Sequence, residues 1–269
     1  MSPTLPGSSG PGLAELGFAR YHRQDVLSAI DGFRTDSPDT ASLFDEIRRS
    51  FADLPADPYD EAANRFRQYG SAVLLPWERS LTWLPADPGP GTGRASEYYQ
   101  GDHNPEYAGM RRHFGDIATH VRENPLLRKI ILFDADRTLW LKHFGNVPLR
   151  VGVHFIKLSV DNPGDVAVPS PDVLHQDGEP FTFVHLISRD NVTGGVNVIA
   201  PPRCAGLRPE EVSRGLLQAE FTLEDPLDSF AIHDPRVSHY VSPVRRGDRP
   251  RRGERDVVLV DFTPYVTQI

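Results

Sequence analysis

The sequence predicts an α+β protein: a double-stranded β-helix (jelly roll) core with an N-terminal helical layer. Three observations predict it. After about residue 148 the chain reads as eight short strand-like segments. Turn residues separate most of those segments: Asn162-Pro163-Gly164, Asp177-Gly178, Gly194-Gly195 and Asp234-Pro235. Before residue 148 apolar residues recur at helical spacing instead. A length of 269 residues is enough for one large domain, or for a core with an added layer.

Taken in order, residues 1–14 read as a flexible tail. MSPTLPGSSGPG has no basic start followed by an apolar stretch, so it does not read as a secretory signal. Residues 15–148 are expected to form the helical layer, packed on the core. Leu43, Phe44, Ile47, Phe51 and Leu54 share one helical face. Tyr107, Met110, Phe114, Ile117 and Val121 do the same, after a start signal at Asn104-Pro105. Residues 125–143 have room for a further helix, and 71–75 and 81–84 read as short extended pieces. Residues 85–109, rich in Pro, Gly, Asp and Tyr, are too long and polar for a simple turn and read as a lid-like loop. Residues 149–269 then form the jelly-roll core, with strands at 150–160, 173–177, 181–188, 195–200, 217–223, 229–233, 237–244 and 256–263. The whole is expected to be one structural domain.

Composition narrows the function classes. At 39% hydrophobic and 25% charged, the chain is ordinary for a globular protein, and no apolar run approaches the roughly 18 residues of a membrane helix. Cys204 is the only cysteine, which excludes an internal disulfide and suits a reducing cytoplasm. A net charge of −8 argues against nucleic acid as partner. The basic cluster Arg245, Arg246, Arg249, Arg251 and Arg252 reads as a solvated loop. The expected partner is a small molecule.

The sharpest chemical signal is His175-Gln176-Asp177. In a strand, residues i and i+2 point to the same face, so the imidazole and carboxylate project side by side. Two such groups plus a distant histidine make the two-His-one-carboxylate facial triad, which leaves positions open on iron(II) for a co-substrate and O2. An H-x-D tripeptide is common by chance, and a surface turn before Gly178 is its plain alternative. The distant histidine is His233 or His239. His239 sits in an extended segment among Val237, Tyr240, Val241 and Val244, whereas His233 precedes the Asp234-Pro235 turn, so His239 is preferred. Arg255 opens the last apolar strand. There a planar guanidinium could grip a carboxylate with two parallel hydrogen bonds, with Arg249 and Arg251 as substitutes. His154 and His185 lie in apolar strands and read as satisfied core histidines.

His175-Gln-Asp-Gly178, then Leu186-Ile-Ser-Arg-Asp-Asn-Val-Thr-Gly-Gly195, Val237-Ser-His-Tyr-Val-Ser-Pro243 and Arg255-Asp-Val-Val-Leu-Val-Asp-Phe262 together resemble the bacterial 2-oxoglutarate/iron(II) dioxygenase family that includes L-isoleucine dioxygenase. The resemblance covers roughly residues 70–265 and extends to Tyr98-Tyr99-Gln100 and Asn104. It implies a jelly-roll core, iron(II), 2-oxoglutarate, O2, and hydroxylation or sulfoxidation of free aliphatic amino acids. Carried over, His175, Asp177 and His239 are the metal ligands and Arg255 binds 2-oxoglutarate. Arg255 lies sixteen residues beyond His239, a long spacing for the superfamily that an arginine-rich loop accounts for. Arg189 either holds a substrate carboxylate or pairs with an acid such as Asp190. Tyr98 and Gln100 are expected to reach substrate from the lid-like loop. Two alternatives stay open: desaturation or cyclisation at the same iron site, on a biosynthetic intermediate or a peptide-bound residue, and a non-enzymatic jelly-roll binding module.

Overall fold

The computed structural model describes residues 12–31, 39–89, 93–103, 106–169 and 171–265. Seven antiparallel strands form the major sheet, in the order β1 (Phe18–Tyr21), β13 (Ser229–His233), β9 (Phe181–Asp190), β16 (Gly253–Pro264), β7 (Leu149–Val160), β2 (Arg65–Leu75) and β3 (Ser80–Trp83). Two three-stranded sheets supply the second layer: β10 (Val192–Gly194), β15 (Val244–Arg246) and β8 (Val166–Ala167), and β12 (Ala219–Thr222), β11 (Val196–Ala200) and β14 (Ser238–Val241). A third small sheet joins β4 (Asp87–Pro88), β5 (Arg94–Tyr98) and β6 (Arg112–Gly115).

Period-two alternation decides which residues meet which layer. On β7, Val151, Val153 and Phe155 join a core with Phe181 and Phe183 of β9 and Val258, Val260 and Phe262 of β16. The helices α1 (Leu13–Leu16), α2 (Arg23–Asp31), α3 (Thr40–Arg49), α4 (Thr119–Arg122) and α5 (Pro125–Asp136) contribute to that same core. Between the two β layers, Val184, Leu186, Phe230, Ile232 and Val257 of the major sheet pack on Ile199 and Phe221. Crossovers between the layers make this the two-sheet jelly-roll arrangement.

Helix positions follow local chemistry. The Asn124 side chain caps α5, accepting from Leu126 N and Leu127 N, and Pro125 occupies the first turn, where no N–H is needed. Asp39 caps α3 by accepting from Ala41 N.

The first half is more mixed than its periodicity suggests. It supplies three strands to the major sheet as well as the helices. Residues 107–121 do not form one helix: Arg112–Gly115 is strand β6, paired with β5, and only Thr119–Arg122 is helical. Arg112 and Phe114 are buried while His113 between them is exposed, a strand pattern, and Gly109 and Gly115 interrupt any helix. The expected start signal at Asn104-Pro105 lies outside the described residues, as do residues 1–11 of the expected tail. Within 85–109, residues 90–92 and 104–105 lie outside as well, and part of the remainder is paired strand instead of loop. The segment 173–177 is not a strand: its one bridge is His175 with His239. Among the described residues no helix is long and apolar enough to cross a membrane.

Candidate active site

That single bridge builds the metal centre. His175 N donates to His239 O and His239 N to His175 O, both at 2.9 Å, so the two residues lie directly opposite each other. Their imidazole centroids are 4.1 Å apart. Asp177, two residues on, reaches both rings: Oδ1 is 3.5 Å from His175 Nε2, and Oδ2 is 3.4 Å from His239 Nε2. Donor atoms of all three lie within 4.8 Å of one another.

Neighbouring groups fix each of these side chains. His175 Nδ1 lies 2.9 Å from Val173 O; a carbonyl only accepts, so Nδ1 carries a proton and Nε2 is the atom turned toward Asp177. Thr182 Oγ1 donates to Asp177 Oδ2 at 3.2 Å. The Asp234 carboxylate accepts from Asp177 N at 2.8 Å and Gly178 N at 3.0 Å, and its carbonyl accepts from Gln176 Nε2 at 2.6 Å. Gly178 takes φ +85°, and a Cβ there would run into the His103 ring, so glycine is required. Burial raises the Asp177 carboxyl, but the histidines beside it outweigh that and hold it below the usual carboxylate range. Burial, then the charge of His175, draws His239 down to about 3. An ionised carboxylate and a neutral imidazole are the forms a cation needs, so these three residues fit a divalent iron.

Asp234 holds the turn without touching the metal position. Asp234→Ala is therefore expected to weaken iron(II) binding by about 10- to 100-fold. Equilibrium titration with iron(II) under nitrogen checks this, and an unchanged affinity would refute the positioning role.

Arg255 lines a cavity that also includes Arg65, Arg67 and the apolar Ile156, Val184, Ile232, Val257 and Leu259, and that reaches His175, Asp177 and His239. It is 4% exposed, and among the described residues its Nε and one terminal nitrogen have no hydrogen-bond partner. Burial, then the charge of Arg189 opposite it on the neighbouring strand β9, lowers it to about 10. A buried cation with unused donors is completed by an anion from outside the chain. Arg249 and Arg251 are exposed and pair with Asp190, so they do not reach this cavity.

A second, polar cavity adjoins Asp177, lined by Arg67, Tyr98, Gln100, Arg112, His154, Glu179 and Asp261, among others. The Tyr98 ring lies 4.6 Å from His154, and Gln100 Nε2 donates to the Asp177 carbonyl at 3.2 Å. Burial, then Asp261 and Asp177, pushes the Glu179 carboxyl well above the usual range. Tyr98 and Gln100 are thus brought to the metal centre, and Arg189 is not. Arg189 donates to Gly194 O at 2.9 Å and sits beside Arg255.

The remaining histidines separate cleanly. His233 stacks on Phe181 at 4.7 Å and meets Trp140 edge-on, away from Asp177. His185 bridges Ser229 Oγ at 2.7 Å and Asp134 Oδ2 at 2.9 Å. That trio resembles a nucleophile triad, but all three residues are buried and Ser229 Oγ donates to Leu227 O, so no substrate reaches it. His154 is satisfied as expected, yet it also lines the polar cavity. Sequence reading missed Arg67, Arg112, Glu179 and Asp261. Two signals were present: Asp261 interrupts an apolar strand, and Glu179 follows the H-x-D turn.

A family model described as 2OG-Fe dioxygenase matches residues 48–261. The 3(1)-hydroxy-L-isoleucine 4-dioxygenase of Pantoea ananatis (strain AJ13355) is 25% identical over 231 residues, 85% of this chain and 84% of that protein. The L-isoleucine-4-hydroxylase of Bacillus thuringiensis is 28% identical over 174 residues, 63% of this chain and 66% of that protein. Two crystal structures share the fold at 20% identity. IDO from Bacillus thuringiensis gives a TM-score of 0.69, covering 94% of this chain and 92% of that one. A bsmA homologue from Methylobium petroleophilum PM1 gives 0.73, covering 96% and 92%.

Proposed function

Because the chain belongs to the 2OG-Fe dioxygenase family, whose members use iron(II), 2-oxoglutarate and O2, we propose that it hydroxylates a free L-amino acid with an aliphatic side chain. The observation that carries this reading is the buried cavity beside Asp177, which combines cations, carboxylates and the apolar Ile156 and Leu259. Two relatives named for isoleucine or hydroxyisoleucine chemistry support it. The family match sets aside a non-enzymatic binding module.

In this reading His175, Asp177 and His239 hold the iron(II), and Arg255 binds the distal carboxylate of 2-oxoglutarate. When bound, the iron with 2-oxoglutarate and O2 supplies the oxidising power that places oxygen in a C–H bond, releasing succinate and carbon dioxide. The chain's own work is position and dryness. Val184, Ile232, Val257 and Leu259 keep water from the 2-oxoglutarate cavity. Tyr98 and Gln100, within the 85–109 segment read as a lid, close the polar cavity over the substrate. The single, buried Cys204 and a free small-molecule substrate support a cytoplasmic setting.

The test is a screen of free L-amino acids with iron(II), ascorbate and 2-oxoglutarate, read by mass spectrometry and succinate formation. One amino acid is expected to gain a single oxygen atom in step with succinate. Loss of two hydrogens would replace hydroxylation by desaturation or ring closure, and no response to any amino acid would overturn the substrate class.

A further inference from the structure

We infer that Glu179 and Arg67 read the two ends of a free α-amino acid: Glu179, backed by Asp261, takes the α-ammonium, and Arg67, with Arg112, takes the α-carboxylate. This rests on the reading above that the substrate is a free amino acid, and it adds which side chains read its two termini.

The polar cavity contains a line of hydrogen bonds. An Arg67 terminal nitrogen is 2.7 Å from His154 Nδ1, and His154 Nε2 is 3.0 Å from Asp261 Oδ2. A guanidinium only donates, so Nδ1 accepts, and the ring proton on Nε2 goes to Asp261. The neutral imidazole thus fixes a cation at one end and a carboxylate at the other. They are separated by one ring and two hydrogen bonds. That is a fit for a small zwitterion making one hydrogen bond at each end.

Among the described residues, neither end has a counter-ion of its own. Arg67 is 7% exposed, and its Nε has no partner. The carboxylate near it, Asp57 Oδ2 at 4.0 Å, is already engaged by Arg65 at 2.8 Å. Arg112, 2% exposed, lies against the rings of Tyr98 and Tyr107 and donates to Gln100 Oε1 at 2.5 Å, with no carboxylate paired to it among the described residues. Glu179, 8% exposed, accepts from Gln100 Nε2 at 3.5 Å; among the described residues no cation pairs with it. A buried guanidinium with no anion of its own and a buried carboxyl group with no cation of its own are completed together by a zwitterion. Ile156 and Leu259 line the same cavity beside Asp177, so an aliphatic side chain lies against them, next to the metal centre. An acylated amine or amidated carboxylate would leave one buried charge uncompensated, which excludes a peptide-bound residue.

The experiment uses the free L-amino acid that gives most product in the screen, its N-acetyl derivative and its amide. Binding to the iron- and 2-oxoglutarate-loaded protein is measured by calorimetry under nitrogen, and product by mass spectrometry in air. Each derivative is expected to bind more than about tenfold more weakly than the free amino acid, because a buried charge loses its partner. Glu179→Gln should weaken the free amino acid more than about tenfold while leaving the N-acetyl derivative within about twofold, since the ammonium contact is already absent there. Arg67→Gln should do the same for the free amino acid and the amide. Glu179→Asp and Arg67→Lys, which keep the charge, should recover part of the loss, which a merely structural role would not predict. Equal hydroxylation of free and N-acetylated substrate by the wild-type protein would sink this inference and leave the hydroxylase reading standing, as would equal weakening of every ligand by both Gln variants. If no free amino acid were hydroxylated, both would fall.

Discussion

Asp177→Ala is expected to reduce 2-oxoglutarate-dependent turnover to background while leaving the fold intact. The carboxylate is the one anion among the three converging side chains, and its two oxygens face one imidazole each at 3.5 and 3.4 Å. Without it, two imidazoles at a buried site would have to hold a divalent cation with no charge to offset the cost of desolvating it. The fold survives because the side chain projects into a cavity, while Asp234 holds the turn through the Asp177 and Gly178 N–H groups. The measurement is iron binding under nitrogen together with product and succinate formation in air; near-normal turnover would refute the triad. A paired comparison sharpens it. His239→Ala should lose activity, and His233→Ala should keep most of it, because His233 is stacked on Phe181 instead of facing Asp177.

Arg255→Gln is expected to raise the 2-oxoglutarate concentration needed for half-maximal succinate formation by more than tenfold. Losing one partner of a buried charge-assisted pair costs about 2–5 kcal/mol, and each 1.4 kcal/mol is about tenfold. In the protein without 2-oxoglutarate the same change should not lower thermal stability, because it removes a buried cation that no carboxylate pairs with among the described residues. That second readout separates a ligand-binding role from damage to the fold. Gly195→Ala should act in the same direction more weakly. Its Cβ would lie 3.0 Å from Arg255 Cδ, at a backbone φ of +66° that disfavours alanine. Arg251→Gln should leave the 2-oxoglutarate requirement unchanged, since Arg251 is engaged with Asp190 on the surface. An unaltered requirement in Arg255→Gln would overturn the assignment.

Features that depend on residues close in sequence were legible. The shared face of His175 and Asp177 follows from an extended backbone, in which every second side chain returns to the same side, whether or not the segment is a full strand. The choice of His239 over His233 followed from an Asp-Pro turn at one and an extended run at the other. The structure has a helical turn at Asp234–Arg236 and strand β14 at Ser238–Val241. The long gap to Arg255 is filled by strand β15 and an arginine-rich loop whose Arg249 and Arg251 pair with Asp190.

Other features were decided by partners far away in the chain. Tyr107, Met110, Phe114, Ile117 and Val121 satisfy a helical period, but hydrogen bonding of β6 to β5 makes Arg112–Gly115 a strand. A period read from one segment cannot register the ladder that a second segment offers. The polar cavity draws Arg67 from β2, Arg112 from β6, His154 from β7, Glu179 from the turn after Asp177, and Asp261 from β16. By itself the sequence determined most of the jelly-roll strands, though not 173–177, the local geometry of His175 and Asp177, and the kind of metal those residue types suit, because each depends on backbone geometry over a few residues. Only the tertiary structure decided that Arg189 lies beside Arg255 instead of in the polar cavity. Only it decided that buried guanidinium and carboxyl groups meet next to Asp177, because strand register sets which distant side chains face one another, and no local pattern encodes it.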